Sequence, residues 1–218
     1  SDAEAVASLR LENLRMATTS TALPLQTLPF TRADIEQTVP ARFEHIVRHL
    51  PNQIALTGQG RQWTYLELDR RANRIALAIL ERARPGSGCV AILCDHSPEM
   101  VIATLAVLKA GKTYLAIHPG MPAARQAEIV RDVAPELIVT TGSREPRAVE
   151  LAAGTCSIVE LNEMDAEAAE KGPQLDVLPQ HPSTIFYTSG TTGQPKGVVK
   201  SHRAVLHRIW LAVQHDAV

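Results

Sequence analysis

Val90-Ala91-Ile92-Leu93, Tyr114-Leu115-Ala116-Ile117, Leu137-Ile138-Val139 and Ser157-Ile158-Val159 decide the fold class. Each run is short and mostly apolar at successive positions, so both of its faces call for burial. That texture belongs to parallel strands covered on two sides, not to antiparallel strands with one wet face. Segments of helical spacing separate the runs, at 98–110, 122–134 and 146–153. The first has Ser97 as its cap, Pro98 at its first position and Gly111 as its stop. The alternation implies an α/β fold, a mainly parallel sheet flanked by helices.

Toward the N-terminus the pattern changes. Residues 2–16 carry helical spacing, and 17–40 read as a linker, with Thr18-Thr19-Ser20-Thr21 and prolines at 24, 29 and 40. Folded structure is expected from Val39. Over Ala41–Leu50, Phe43, Ile46, Val47 and Leu50 share one helical face. His45 and His49 form an i, i+4 pair on the opposite face, but no acidic residue completes a metalloprotease pattern, so metal binding is not expected. Gln53–Thr57 and Gln62–Thr64 predict a hairpin around Gly58-Gln59-Gly60. Thr64 and Glu67 have capping-box spacing, opening a long helix whose buried stripe is Leu68, Ala72, Ile75 and Ile79.

The 218 residues are 45% hydrophobic and 21% charged, with a net charge of −1. This describes a globular chain with a sizeable core and no global field to draw in nucleic acid or an anionic membrane. No apolar run approaches the roughly 20 residues that span a bilayer, and the N-terminus lacks the texture of a signal peptide. Cys89, Cys94 and Cys156 sit in strand-like runs without C-x-x-C spacing, which favours reduced, buried thiols and a cytoplasmic location. The acidic stretch Leu161–Pro182, with Glu160, Glu163, Asp165, Glu167 and Glu170, reads as a solvated connection rather than catalytic carboxylates. No internal repeat is present. The domain reading is an N-terminal helix and linker at 1–38, an α/β subdomain at 39–182, and at 183–218 the start of a further sheet-bearing subdomain. In its helix from His202, Val205, Leu206, Ile209 and Val213 are expected to face the core.

The chemistry is concentrated in Tyr187-Thr188-Ser189-Gly190-Thr191-Thr192-Gly193-Gln194-Pro195-Lys196-Gly197. A strand-like run, Thr184–Tyr187, precedes it. Gly190, Gly193 and Gly197 give the backbone freedom to reach φ > 0 and to approach a ligand. Consecutive N–H groups in such turns converge on an anion. Thr188, Ser189, Thr191 and Thr192 add hydroxyls, and Lys196 adds a compensating charge. The pattern is neither a Walker A loop, since Gly197 follows the lysine, nor a dinucleotide fingerprint. A flexible linker has no need of Pro195-Lys196-Gly197 between two strands.

At these residues the chain resembles the adenylate-forming superfamily: acyl-CoA synthetases, luciferases and the adenylation domains of nonribosomal peptide synthetases. Two further stretches follow the family's order. Trp63-Thr64-Tyr65-Leu66-Glu67-Leu68 is similar to its early TYxEL segment. Leu108-Lys109-Ala110-Gly111-Lys112-Thr113-Tyr114-Leu115-Ala116-Ile117-His118-Pro119 is similar to the LKAGxAYxPxDP segment of peptide synthetases. The resemblance runs from about residue 30 to the end.

It implies that Thr188, Ser189, Gly190, Thr191, Thr192, Gly193, Lys196 and Gly197 bind the phosphates of ATP, with Mg²⁺. The substrate is then a carboxylic or amino acid, activated as an acyl adenylate. The acyl group passes to a thiol, here the phosphopantetheine of a peptidyl carrier protein, or alternatively coenzyme A. A non-catalytic scaffold module is the other alternative. In the family, the ribose-binding, metal-binding and catalytic-lysine segments lie downstream of this loop, so this chain alone is expected to be inactive. His118 stands where the family has aspartate and Lys112 where it has a small residue; both are expected to be tolerated surface changes. His202 matches a histidine that often follows the loop and is expected to cap or pack.

Overall fold

The computed structural model describes residues 27–161, 169–188 and 196–215. The helix expected at 2–16 and the acidic residues Glu163, Asp165 and Glu167 lie outside them.

The helices are α1 (Val39–His49), α2 (Tyr65–Arg82), α3 (Pro98–Lys109), α4 (Ala123–Val133), α5 (Glu145–Ala152) and α6 (His202–His215). The strands are β1 (Ile54–Gly58), β2 (Arg61–Thr64), β3 (Cys89–Leu93), β4 (Thr113–Ala116), β5 (Leu137–Thr140), β6 (Ser157–Glu160), β7 (Pro182–Thr188) and β8 (Lys196–Ser201). β1 and β2 form a separate antiparallel pair, turned by Gln59 and Gly60 at φ 52° and 75°. The other strands make one six-stranded sheet in the order β6-β5-β3-β4-β7-β8. All neighbours in it are parallel except β7 and β8.

Strand alternation sorts the central side chains onto two faces. Val90 and Ile92 of β3 join Leu68, Ala72, Ile75 and Ile79 of α2 and Ile102, Ala103 and Ala106 of α3 in one core. Ala91 and Leu93 face the other way, to Ile129 and Val130 of α4 and to Ala148 and Leu151 of α5. Full burial of an isoleucine such as Ile75 or Ile138 contributes about 2 kcal/mol. The expected helix-flanked, mainly parallel sheet is what forms. The capping box is present too: Thr64 N–H donates to Glu67 Oε2 at 2.7 Å, and Glu67 N–H to Thr64 Oγ1 at 3.2 Å. Among the described residues no helix is long and apolar enough to cross a membrane.

Four expectations need correction. The strand at 184–187 does not open a further sheet; β7 lies parallel to β4, with Tyr114 opposite Thr184 and Leu115 opposite Ile185. The exposed edge of β4 supplies its partner, and Thr113 Oγ1 donates to the Pro182 carbonyl at 3.3 Å. The stretch 29–38 is not bare linker. Residues Arg32–Ile35 form a 3₁₀ turn, Ile35 is buried, and Arg42 reaches back to the Pro29 carbonyl at 2.7 Å and to Asp34 at 3.3 Å. α6 buries Leu206, but Ile209 and Val213 are 43% and 45% exposed. Its main packing partners among the described residues are the first 3₁₀ turn, α1, β7 and β8.

The fourth correction concerns Lys112, which is not on the surface. It is 1% exposed, and its Nζ donates to the Gly86 carbonyl at 2.7 Å, to Glu136 Oε2 at 3.1 Å and to the Arg84 carbonyl. A buried ammonium persists only with partners of this kind. Lys109 of the same stretch is likewise buried, paired with Asp69 at 2.9 Å and with Glu44. His118 is exposed, as expected, and its Nδ1 accepts from Gly120 N–H at 3.0 Å.

Candidate functional site

The candidate site is the mouth of the β7–β8 hairpin at the edge of the large sheet. Of the eight residues picked out from the sequence, Thr188, Lys196 and Gly197 are described; Ser189, Gly190, Thr191, Thr192 and Gly193 lie outside the described residues. The antiparallel register sets Thr188 opposite Lys196 and Tyr187 opposite Gly197. A hydroxyl and an ammonium therefore stand at facing positions where the two strands part, and both residues are exposed.

The strands are held from below. Ser183 and Thr184 are fully buried, and Ser183 Oγ donates to the Lys200 carbonyl at 3.0 Å. Phe186 meets Tyr114 edge-on, with ring centroids 6.4 Å apart, and the Lys200 ammonium lies 5.2 Å from the Phe186 ring centroid. Tyr187 projects to the opposite face, where its hydroxyl donates to Asp132 of α4. Burial raises the Tyr187 phenol pKa, and the Asp132 carboxylate raises it further.

The sequence argument gave Gly197 backbone freedom, and the structure gives it a different reason. Among the described glycines, positive φ occurs at Gly60, Gly86, Gly111 and Gly154, not at Gly197. A Cβ on Gly197 would instead sit 3.3 Å from Tyr187 Cζ and 3.4 Å from its hydroxyl. The tyrosine ring lies across the glycine, so a side chain there would have to push it by a few tenths of an ångström.

His202 opens α6 immediately after β8 and is 1% exposed. Its Nδ1 accepts from Val39 N–H at 3.2 Å, at the start of α1. Burial lowers its pKa to about 4, with the nearby His181 contributing, so the ring is neutral at pH 7 and packs as expected. The His45 and His49 rings are 4.4 Å apart, yet among the described residues no group of three or more His, Cys, Asp or Glu could hold a metal. Sequence reasoning missed Asp132 and Arg125 as neighbours of the site. The available signal was their spacing of two helical turns, which puts both on one face of α4.

Fold and site together define an α/β domain that presents a glycine- and threonine-rich segment on an edge hairpin. The model of the AMP-binding enzyme family matches residues 43–218, and the chain belongs to that family. It is 37% identical over 175 residues to phosphinothricin tripeptide synthetase PhsB of Streptomyces viridochromogenes, covering 78% of this chain and 15% of that protein. It is 33% identical over 175 residues to tyrocidine synthase 3 of Brevibacillus parabrevis, covering 79% of this chain and 3% of that one. The AMPPNP-bound form of the nonribosomal peptide synthetase FmoA3 superposes with a TM-score of 0.75 at 26% identity, covering 93% of this chain and 20% of that one. The N-terminal subdomain of Klebsiella oxytoca NpsA shares the fold, with a TM-score of 0.68 at 24% identity over 78% of this chain and 43% of that one. The chain is thus most like the N-terminal part of a peptide synthetase adenylation domain, and it spans only a small share of these relatives' length.

Proposed function

We propose that this chain supplies the phosphate-holding part of a unit that activates an amino acid with ATP and delivers it to a carrier-protein thiol. The observation that carries the proposal is the Thr188–Lys196 pair at the exposed mouth of the hairpin, in a chain of this family. Two similar proteins support it: one is a tripeptide synthetase by name and another was solved with AMPPNP bound.

In the reaction, a carboxylate oxygen attacks the α-phosphorus of ATP and pyrophosphate leaves. The acyl carbon of the resulting adenylate is then attacked by a phosphopantetheine thiolate, releasing AMP. The first step brings two anions together while negative charge grows on the leaving group, so its barrier is largely electrostatic. Thr188, Ser189, Gly190, Thr191, Thr192, Gly193, Lys196 and Gly197 hold the β- and γ-phosphates by hydroxyl donors, backbone N–H groups and one ammonium. Mg²⁺ bound to the nucleotide would neutralise further phosphate charge. The three free thiols among the described residues support a cytoplasmic setting.

The test is calorimetry of this chain with AMPPNP and Mg²⁺, in the parent and in Lys196→Ala. Binding that weakens at least tenfold in Lys196→Ala supports the proposal; no binding, or binding indifferent to the substitution, overturns it. ATP–pyrophosphate exchange is expected to be absent from this chain alone with any amino acid, as the family resemblance implies. Robust exchange would show that these residues suffice for the chemistry.

A further inference from the structure

The pairing of β7 with β4 ends at Leu115 opposite Ile185. Beyond it, Phe186, Tyr187 and Thr188 continue only against Val198, Gly197 and Lys196 of β8. β8 is the edge of the sheet, so the mouth of the hairpin is a two-stranded ribbon. Such ribbons are marginal in water without packing on a third element. A site that must hold charged oxygens at fixed places needs its supporting residues locked.

Side chains supply the lock on both faces. On one, Phe186 packs edge-on against Tyr114. On the other, the Tyr187 ring lies over Gly197 and its hydroxyl donates to Asp132 near the C-terminal end of α4. The Arg125 guanidinium, two turns earlier on the same face of α4, sits 5.9 Å from the ring centroid and is itself tied to Glu128 at 2.7 Å. Tyr187 thus touches three things at once: its own strand, the facing strand at the position next to Lys196, and a helix anchored in the core through Ile129 and Val130. No other described hydrogen bond joins the ribbon beyond Ile185 to the body of the domain.

We propose that Tyr187 and Asp132 are positioning residues, a clamp from α4 that fixes Thr188 and Lys196 relative to each other and to the sheet for nucleotide phosphate binding. The inference rests on the function proposed above and adds what sets the geometry of that site. Because the clamp acts through a hydroxyl and a carboxylate that are not among the proposed phosphate-holding groups, its loss should loosen the site without removing any phosphate ligand.

The test uses this chain with Tyr187→Phe, Asp132→Ala, Asp132→Asn and the double variant Tyr187→Phe/Asp132→Ala. Amide hydrogen exchange at Thr188, Lys196 and Gly197 reads the clamp without nucleotide, and AMPPNP calorimetry reads its effect on the site. Tyr187→Phe and Asp132→Ala are each expected to speed exchange at the hairpin mouth about tenfold, leaving Val90 and Ile138 unchanged. AMPPNP affinity should fall by a comparable factor. Asp132→Asn, which keeps an acceptor, should restore most of both, and the double variant should be no worse than either single one. Unchanged exchange in Tyr187→Phe overturns the clamp whatever the nucleotide does. Faster exchange with unchanged affinity overturns its link to the site. Faster exchange in the variants of a parent chain that binds no AMPPNP upholds the clamp and overturns the proposed function instead.

Discussion

Replacing Lys112 by methionine keeps most of the side-chain volume and removes the charge, so it isolates what the buried ammonium contributes. In the folded chain that ammonium satisfies the carbonyls of Arg84 and Gly86 in the turn after α2, and it faces Glu136, whose side chain is only 10% exposed. The remaining cation near Glu136 is Arg84, with Nε at 4.0 Å and its side chain 80% exposed, a weak substitute. The other described donor to the carboxylate is the Arg84 N–H, which reaches Glu136 Oε2 at 3.2 Å. Lys112→Met therefore leaves a mostly buried carboxylate without its main partner, which costs about 3–5 kcal/mol. The partial exposure of Glu136 puts the expected loss near the lower figure, about 3 kcal/mol. Urea unfolding followed by tryptophan fluorescence measures it, and the melting temperature should fall by about 6–12 °C. Adding Glu136→Leu removes the stranded charge and should recover a large part of the loss. A loss below about 1 kcal/mol for Lys112→Met would place the residue with ordinary surface positions and refute the reasoning.

His202 gives a pH dependence whose sign follows from its lowered pKa. Above the ordinary histidine value of about 6.5 the ring is neutral folded or unfolded; as pH falls toward 4 the unfolded chain takes up a proton that the buried ring refuses. Stability should therefore decline between about pH 6.5 and 4, by at most about 3 kcal/mol. The decline should flatten in His202→Gln when urea midpoints are compared across that range; an unchanged slope would assign it to other groups. Burial pushes the Cys89 and Cys94 thiols up to about 12, aided by Glu136 and by Glu99 respectively. At pH 8 a disulfide reagent should label them about a thousandfold more slowly in the folded chain than in urea. Equal rates would contradict the burial seen here.

What the sequence displayed was local. Val90–Leu93 and Leu137–Val139 announce their two-sided burial by composition, Thr64 and Glu67 announce a helix start by spacing, and Gly58-Gln59-Gly60 announces a turn. Each signal is read within a few residues, and each holds in the structure. What the sequence hid was the identity of partners. Lys112 looks like a surface lysine because the carbonyls it satisfies lie at Arg84 and Gly86 and its carboxylate at Glu136, all far along the chain. The run at 184–187 has the texture of a strand, but nothing in it names β4 as its neighbour. Helical spacing correctly puts Val205, Leu206, Ile209 and Val213 on an apolar stripe of α6, yet spacing says nothing about what covers a stripe.

The same division runs through the candidate site. The residues that would touch phosphate stand together in one motif, because a backbone nest and its hydroxyls must be contiguous to converge on one anion. The residues proposed to hold the motif in place come from elsewhere in the chain, Asp132 from α4 and Tyr114 from β4. Gly197 joins the two sets. Its place in the motif puts its backbone with the ligand groups, and its Cβ position, 3.3 Å from Tyr187 Cζ, puts it against the clamp as well. A glycine in a phosphate-binding motif can therefore be favoured by the tyrosine behind it as well as by the anion in front. Gly197→Ala discriminates: it should mimic Tyr187→Phe in hydrogen exchange, and it should lose most of that effect when Tyr187 is already reduced to leucine.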